Sequence, residues 1–169
     1  MFVPDTSILT DQPPCSFRTM VPEDEPFAIR LYGITLRHQM SLDAVGLTQE
    51  QIDALTEHQY RLMMIHYNSN YPWADISIVL REGEPVGRLI IIDFENEIRL
   101  GDLMILPEYQ NNGICTYIMR MHVARGIAQG KKIRLHVEKV NRAVALYERE
   151  GFAIVEDLSS HWLMEYSGR

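Results

Sequence analysis

Cysteine is scarce in this chain of 169 residues, occurring only as the widely separated Cys15 and Cys115 with no C-x-x-C spacing. Nothing in that pattern supports a disulfide framework or a cysteine-built zinc site. The histidines at 38, 58, 66, 122, 136 and 161 form no H-x3-H pair, so no metal site is expected. No uninterrupted run of 18 apolar residues occurs, which argues against a membrane-spanning helix. Met1–Pro14 lacks both the basic and the apolar stretch of a signal peptide, so a cytoplasmic protein is expected. Positive charge is short as well: 16 Lys and Arg stand against 23 Asp and Glu, a formal net charge of −7. Nucleic acid and anionic membrane both require a cationic field, so neither is expected as the main partner. The phosphate-binding patterns G-x-x-x-x-G-K-[ST] and G-x-G-x-x-G are also missing.

What remains is ordinary for a soluble globular protein, with 46% apolar and 23% charged residues. A chain of this length is read as one domain, 1–169, burying about 70% of its unfolded surface. Met1–Pro14 carries three prolines and reads as an irregular lead-in. Cys15–Met20 reads as a strand, and a helix follows from the acidic start Pro22-Glu23-Asp24-Glu25, with Phe27, Leu31, Ile34 and Leu36 on its apolar side. After a loop over Met40–Leu47, Thr48-Gln49-Glu50-Gln51 has the form of a capping box. It opens a second helix to about Tyr67, with Ile52, Leu55, Tyr60, Met63 and Met64 as core candidates. Strands are expected over Asp75–Arg81, Pro85–Asp93 and Glu97–Leu106, joined by tight turns at Glu82-Gly83-Glu84 and Asn96 as an antiparallel meander. Next come a helix from Gly113 to Gln129 ending at Gly130, the alternating strand Lys132–Val137, a helix Arg142–Glu150, and strands Phe152–Glu156 and His161–Tyr166.

The most informative segment is Leu106-Pro107-Glu108-Tyr109-Gln110-Asn111-Asn112-Gly113-Ile114-Cys115. An apolar strand stops at a proline, a polar turn with one glycine follows, and a long apolar-periodic helix begins. The first turn of such a helix presents unpaired N–H groups and a partial positive charge, which suits phosphate. Here the sequence resembles the GCN5-related N-acetyltransferases, whose pyrophosphate turn reads Gln/Arg-x-x-Gly-x-Gly/Ala. Gln110 and Gly113 match that turn; Cys115 departs from it. The stretch Leu135–Phe152 resembles the family's second signature, a strand, Asn141 opening a helix, Ala143, then Tyr147, then Gly151-Phe152 entering the next strand. The resemblance covers about Asp75–Tyr166, and Ser16–Tyr71 more loosely.

That resemblance implies an α+β fold, a mixed and mostly antiparallel central sheet of about six or seven strands with about four helices. It implies that Glu97–Leu106 and Lys132–Val137 splay apart to admit acetyl-coenzyme A. Its pyrophosphate would lie on the backbone of Gln110, Asn111, Asn112, Gly113, Ile114 and Cys115. Its pantetheine arm would pair with Met104, Ile105 and Leu106, and Asn141 would bond the arm, although helix capping explains Asn141 equally well. Cys115, near a helix N-terminus, has either a lowered thiol pKa open to a mixed disulfide with coenzyme A or the role of a small buried residue.

Catalysis, on the same resemblance, rests on Tyr147 as the general acid for the departing thiolate; Tyr147 also fits a packing role. The base is open among Asp102, which burial would raise in pKa, and Glu97, Glu138 and His136. The acceptor pocket is expected within Arg30–Trp73, where Tyr67–Trp73 either frames a polar substrate or is a loop with aromatic anchors. The expected activity is acetyl transfer to a primary amine of a small molecule or peptide, by a monomer or homodimer. A coenzyme A-binding module without catalysis is the alternative.

Overall fold

The computed structural model describes residues 13–39 and 46–168, so the expected Met1–Pro14 lead-in and Met40–Leu47 loop lie almost wholly outside the described residues. The chain forms β1 (Ser16–Thr19), α1 (Glu25–Gln39), α2 (Gln49–Asn70), β2 (Asp75–Arg81), β3 (Glu84–Asp93), β4 (Glu97–Ile105), α3 (Ile114–Gln129), β5 (Lys132–Glu138), α4 (Ala143–Arg149), β6 (Phe152–Leu158) and β7 (His161–Tyr166). Short 3-10 turns at Pro22–Asp24 and Pro107–Tyr109 precede α1 and α3.

Local chemistry explains the boundaries. Thr48 and Gln51 cap α2 reciprocally: Gln51 N–H donates to Thr48 Oγ1 at 3.3 Å, and Thr48 N–H to Gln51 Oε1 at 2.9 Å. Asp24 does more than complement a helix dipole. Its carboxylate receives both guanidinium nitrogens of Arg18, at 2.6 and 2.7 Å, and the Val21 N–H at 2.9 Å. α2 also runs one turn beyond Tyr67, to Asn70. No helix among the described residues is long and apolar enough to cross a membrane.

One seven-stranded sheet organises the molecule, in the order β1-β2-β3-β4-β5-β7-β6. All neighbours are antiparallel except β4 and β5. On one face α3 and α4 pack over Leu89, Ile91, Ile98, Leu100, Ile133, Leu135, Val137 and Met164, with Ile114, Ile118, Met119 and Val123 from α3 itself. Strand alternation turns Arg88, Ile90 and Ile92 to the other face, where α1 and α2 supply Leu31 and Tyr60.

Two irregularities shape the sheet around β4. Ile90 of β3 pairs with Asp102 and Ile91 with Leu100, which leaves Gly101 as the extra residue of a β-bulge. Before the bulge Ile98 and Leu100 face α3; after it Leu103 and Ile105 do, and Asp102 turns to the α1–α2 side. In addition, the β4–β5 ladder lasts only from Glu97↔Lys132 to Leu100↔Leu135. Beyond it β4 continues along β3 to Ile105↔Gly87, and β5 along β7 to Glu138↔His161. The strands part where the sequence resemblance implied that they would.

Candidate functional site

The parted strands open beside the N-terminus of α3. Leu106 leaves the sheet, with its N–H on Val86 O at 2.9 Å, and the chain turns through Tyr109 N–H to Leu106 O (2.9 Å) and Gln110 N–H to Pro107 O (3.2 Å). Gln110 folds back and donates its side-chain amide to Ile105 O at 2.8 Å. Asn111 and Gly113 then take positive φ, 60° and 78°. The helical ladder begins with Tyr117 N–H on Gly113 O at 2.9 Å. Among the described residues, no other residue accepts from the N–H groups of Gly113, Ile114, Cys115 or Thr116. Gly113 is exposed, and a Cβ there would meet nothing within 4 Å. The result is an open, dipole-backed set of donors.

The adjoining edge of β4 corrects one expectation. Main-chain groups in an antiparallel pair point alternately to one neighbour and the other. Leu106 N–H lies on Val86 and its carbonyl accepts from Tyr109, and Met104, two residues earlier and paired with Arg88, turns its backbone polar groups toward β3. Leu103 and Ile105 turn theirs into the gap, and Ile105 O already receives Gln110. Of the expected trio Met104, Ile105 and Leu106, only Ile105 presents its backbone to the opening. Leu103 joins it, and the period-2 rule applied to the turn at Leu106 was the signal that would have found it.

Tyr147 of α4 packs on the core of the α3 face, its ring 6.2 Å from that of Phe152. Its hydroxyl has no hydrogen-bond partner among the described residues. Burial, then the neighbouring charges of Cys115 and Asp102, push the phenol well above its ordinary pKa, so it is held as a donor. Cys115 and Asp102 thus each stand within electrostatic reach of Tyr147. Of the two readings of Cys115, the small buried residue fits its surroundings: burial against the core raises the thiol pKa, against a smaller lowering by a backbone hydrogen bond. Burial likewise pushes Cys15 up to about 11. Asn141 stands just ahead of α4, whose N-cap position is Arg142, and its Oδ1 accepts the Ala143 N–H at 2.9 Å.

Asp102, inside an otherwise apolar strand, has a charged partner on the neighbouring one. Arg88 of β3, fully buried, donates from Nη2 to Asp102 Oδ2 at 2.6 Å, and Asp102 itself is 18% exposed. Arg88 also lies 5.5 Å from the Tyr60 ring centroid and 3.5 Å from Met63 Sδ. Its Nε and Nη1 have no hydrogen-bond partner among the described residues. Asp102 Oδ1 is left without a partner among the described residues. Of the other candidate bases, Glu97 is committed to Arg99 at 2.5 Å and Arg134 at 3.1 Å. Glu138 stands 4.0 Å from His161. His136 is exposed, and partial desolvation with nearby Arg99 and His161 lowers its pKa. The expected acceptor segment divides. Tyr71 and Trp73 pack edge-on with Phe94 at the closed end of the sheet, whereas Tyr67 reaches β4 and donates to Gly101 O at 2.7 Å.

Known structures share this architecture. The fold is similar to that of the PaiA N-acetyltransferase from Thermoplasma acidophilum, solved with coenzyme A, at 18% identity and a TM-score of 0.66, covering 89% of this chain and 97% of that one. An acetyltransferase from Thermus thermophilus is similar at 18% identity and TM-score 0.60, with 89% and 94% covered. Ard1 from Thermoplasma volcanium is similar at 17% and 0.57, with 90% and 96% covered. No curated protein sequence matches the chain. The model of the Acetyltransferase (GNAT) family matches residues 42–152, from before α2 to the start of β6, and so takes in the α3 turn, the parted strands and Tyr147. The chain is a member of the GNAT acetyltransferase family.

Proposed function

We propose that this protein transfers an acetyl group from acetyl-coenzyme A to a primary amine of a small molecule or peptide, by direct attack with both substrates bound. The observation that carries the reading is the open cradle of α3 amides beside the unpaired edge of β4, with the partnerless Tyr147 hydroxyl across the gap. The amides of Gly113–Thr116 receive the pyrophosphate, and each favourable charge contact with the helix terminus contributes about 0.3–1 kcal/mol. Gly113 keeps the mouth of the cradle free of side chain. Leu103 and Ile105 offer the arm a strand edge. The thioester, once held there, supplies the activated acetyl group.

Tyr147 donates to the sulfur as the carbon–sulfur bond breaks, and its raised pKa keeps the proton available at neutral pH. Asp102 faces the α1–α2 side, from which an amine reaches the gap. A free alkylammonium has a pKa of roughly 10 and is almost wholly protonated at neutrality. Asp102 Oδ1 accepts that proton, directly or through water, while Arg88 holds the other oxygen. The same Arg88 pairing is what favours the second reading, a coenzyme A-binding module in which the carboxylate is structural.

A screen of amines, amino acids and peptides by free-thiol release decides between them. In the first reading Tyr147→Phe lowers kcat about a hundredfold, in the range of general acid catalysis, with the coenzyme A Kd unchanged within about twofold. Equal loss of turnover and affinity would remove Tyr147 from the chemistry. Coenzyme A binding with no thiol release from any amine would establish the second reading.

A further inference from the structure

The carbonyl of Gly101 belongs to the extra residue of the bulge, and the β4–β5 ladder ends one residue before it. Gly101 thus has no paired residue in the register of either neighbouring strand. The donor comes from a helix instead: Tyr67, in the last turn of α2, places its hydroxyl 2.7 Å from Gly101 O. The approach favours a glycine, because a Cβ on Gly101 would lie 3.1 Å from both the Tyr67 hydroxyl oxygen and its ring and Tyr67 would have to give way. Tyr67 is held in turn by edge contacts with His66 and a tilted contact with Tyr71. The next residue along the strand is Asp102, whose carboxylate Arg88 grips from β3.

We infer that Tyr67 is a positioning residue of the transfer site: its hydroxyl fixes the β4 bulge and thereby sets the direction of the Asp102 carboxylate. The inference rests on the acetyl-transfer reading and extends it to α2, a helix on the Arg88 side of the sheet. Two anchors act on consecutive residues. Tyr67 fixes the main chain at Gly101, and Arg88 fixes the side chain at Asp102. An unsatisfied carbonyl in this half-buried position is costly, so loss of the hydroxyl lets the bulge slide or turn toward water. A slide of one residue would return Asp102 to the α3 face and Leu103 to the other, because side-chain direction alternates with period two.

Tyr67→Phe in the full chain is the test, measured with the amine of fastest thiol release. Expected are a tenfold or greater fall in kcat/KM for the amine, a coenzyme A Kd within twofold of the parent, and at least tenfold faster exchange of the Asp102 and Met104 amides, which face β3. In an Asp102→Asn background the same substitution changes kcat/KM by less than twofold, because its effect passes through Asp102. Unchanged kcat/KM, or a loss that multiplies with that of Asp102→Asn, would overturn the inference. If the parent protein releases no thiol with any amine, it is the transfer reading that has failed. The amide exchange then still reports on the bulge: protection equal to the parent's refutes the hold of Tyr67 upon it.

Discussion

At the scale of single residues, Cys115 and Arg88 show how environment overrides type. Cys115 occupies a helix terminus that would ordinarily favour a thiolate, yet its side chain points into the core and burial raises its pKa. Iodoacetamide at pH 8 should therefore alkylate Cys115 at least tenfold more slowly than an exposed cysteine, as followed by peptide mass spectrometry. A faster rate than free cysteine would show that the terminus wins. Cys15, also raised by burial, should be slow for the same reason. Arg88 was not singled out from sequence at all. It stands in the apolar run Val86–Ile92, and Asp102 stands in the next such run. One opposite charge in each of two consecutive apolar strands was a readable signal of a buried pair. What could not be read was the register that makes them diagonal neighbours, since Arg88 is opposite Met104. Removing one partner alone leaves a buried charge, which costs about 3–5 kcal/mol.

Among elements, α3 was the most legible. Its start at the Gly113 turn, its end at Gly130 and its apolar face all follow from residue order, because glycine, capping and a 3.6 period act locally. The strand order along the chain was legible for the same reason. The Gly101 bulge was not, since an extra residue is defined only against its partner strand, and it decides which of Asp102 and Leu103 faces α1 and α2. β6 likewise extends to Leu158, past its expected end at Glu156, where pairing with His161 holds it. At the α3 start, Gly113 has φ 78° and open space where a Cβ would stand. Gly113→Val thus meets no clash but forces a branched residue into the left-handed region, a cost of about 1–2 kcal/mol. It also sets a side chain in the mouth of the cradle. Calorimetry should show coenzyme A binding weakened tenfold or more, with a melting temperature lowered by a few degrees. Unaltered affinity would mean that the cradle binds no diphosphate.

Over the whole molecule, stability depends on pH through a residue unrelated to the site. His122 sits on the buried side of α3, 6% exposed, with both ring nitrogens lacking partners among the described residues. Burial, with a smaller contribution from Arg125 against opposing ones from Asp75 and Asp93, lowers its pKa to about 4. The unfolded chain takes up that proton near pH 6.5 and the folded one only near 4. The stability tied to neutral His122 is therefore complete above pH 6.5 and lost as pH falls toward 4, up to about 3 kcal/mol. Urea denaturation from pH 7 to 4 should show that loss, and His122→Leu should flatten it without destabilising the protein at pH 7. An equally steep profile in the variant would place the titration elsewhere.

The brief parallel ladder has a mechanical consequence at this scale. Four rungs join β1–β4 to the β5–β7–β6 half, and α3 spans both. The molecule is thus two leaves on a short spine, each with its own hydrogen-bonded integrity. Native-state exchange in mild denaturant should find two cooperative units with separate opening free energies. A molecule wedged between the leaves ties them together, so saturating coenzyme A should merge the two openings into one.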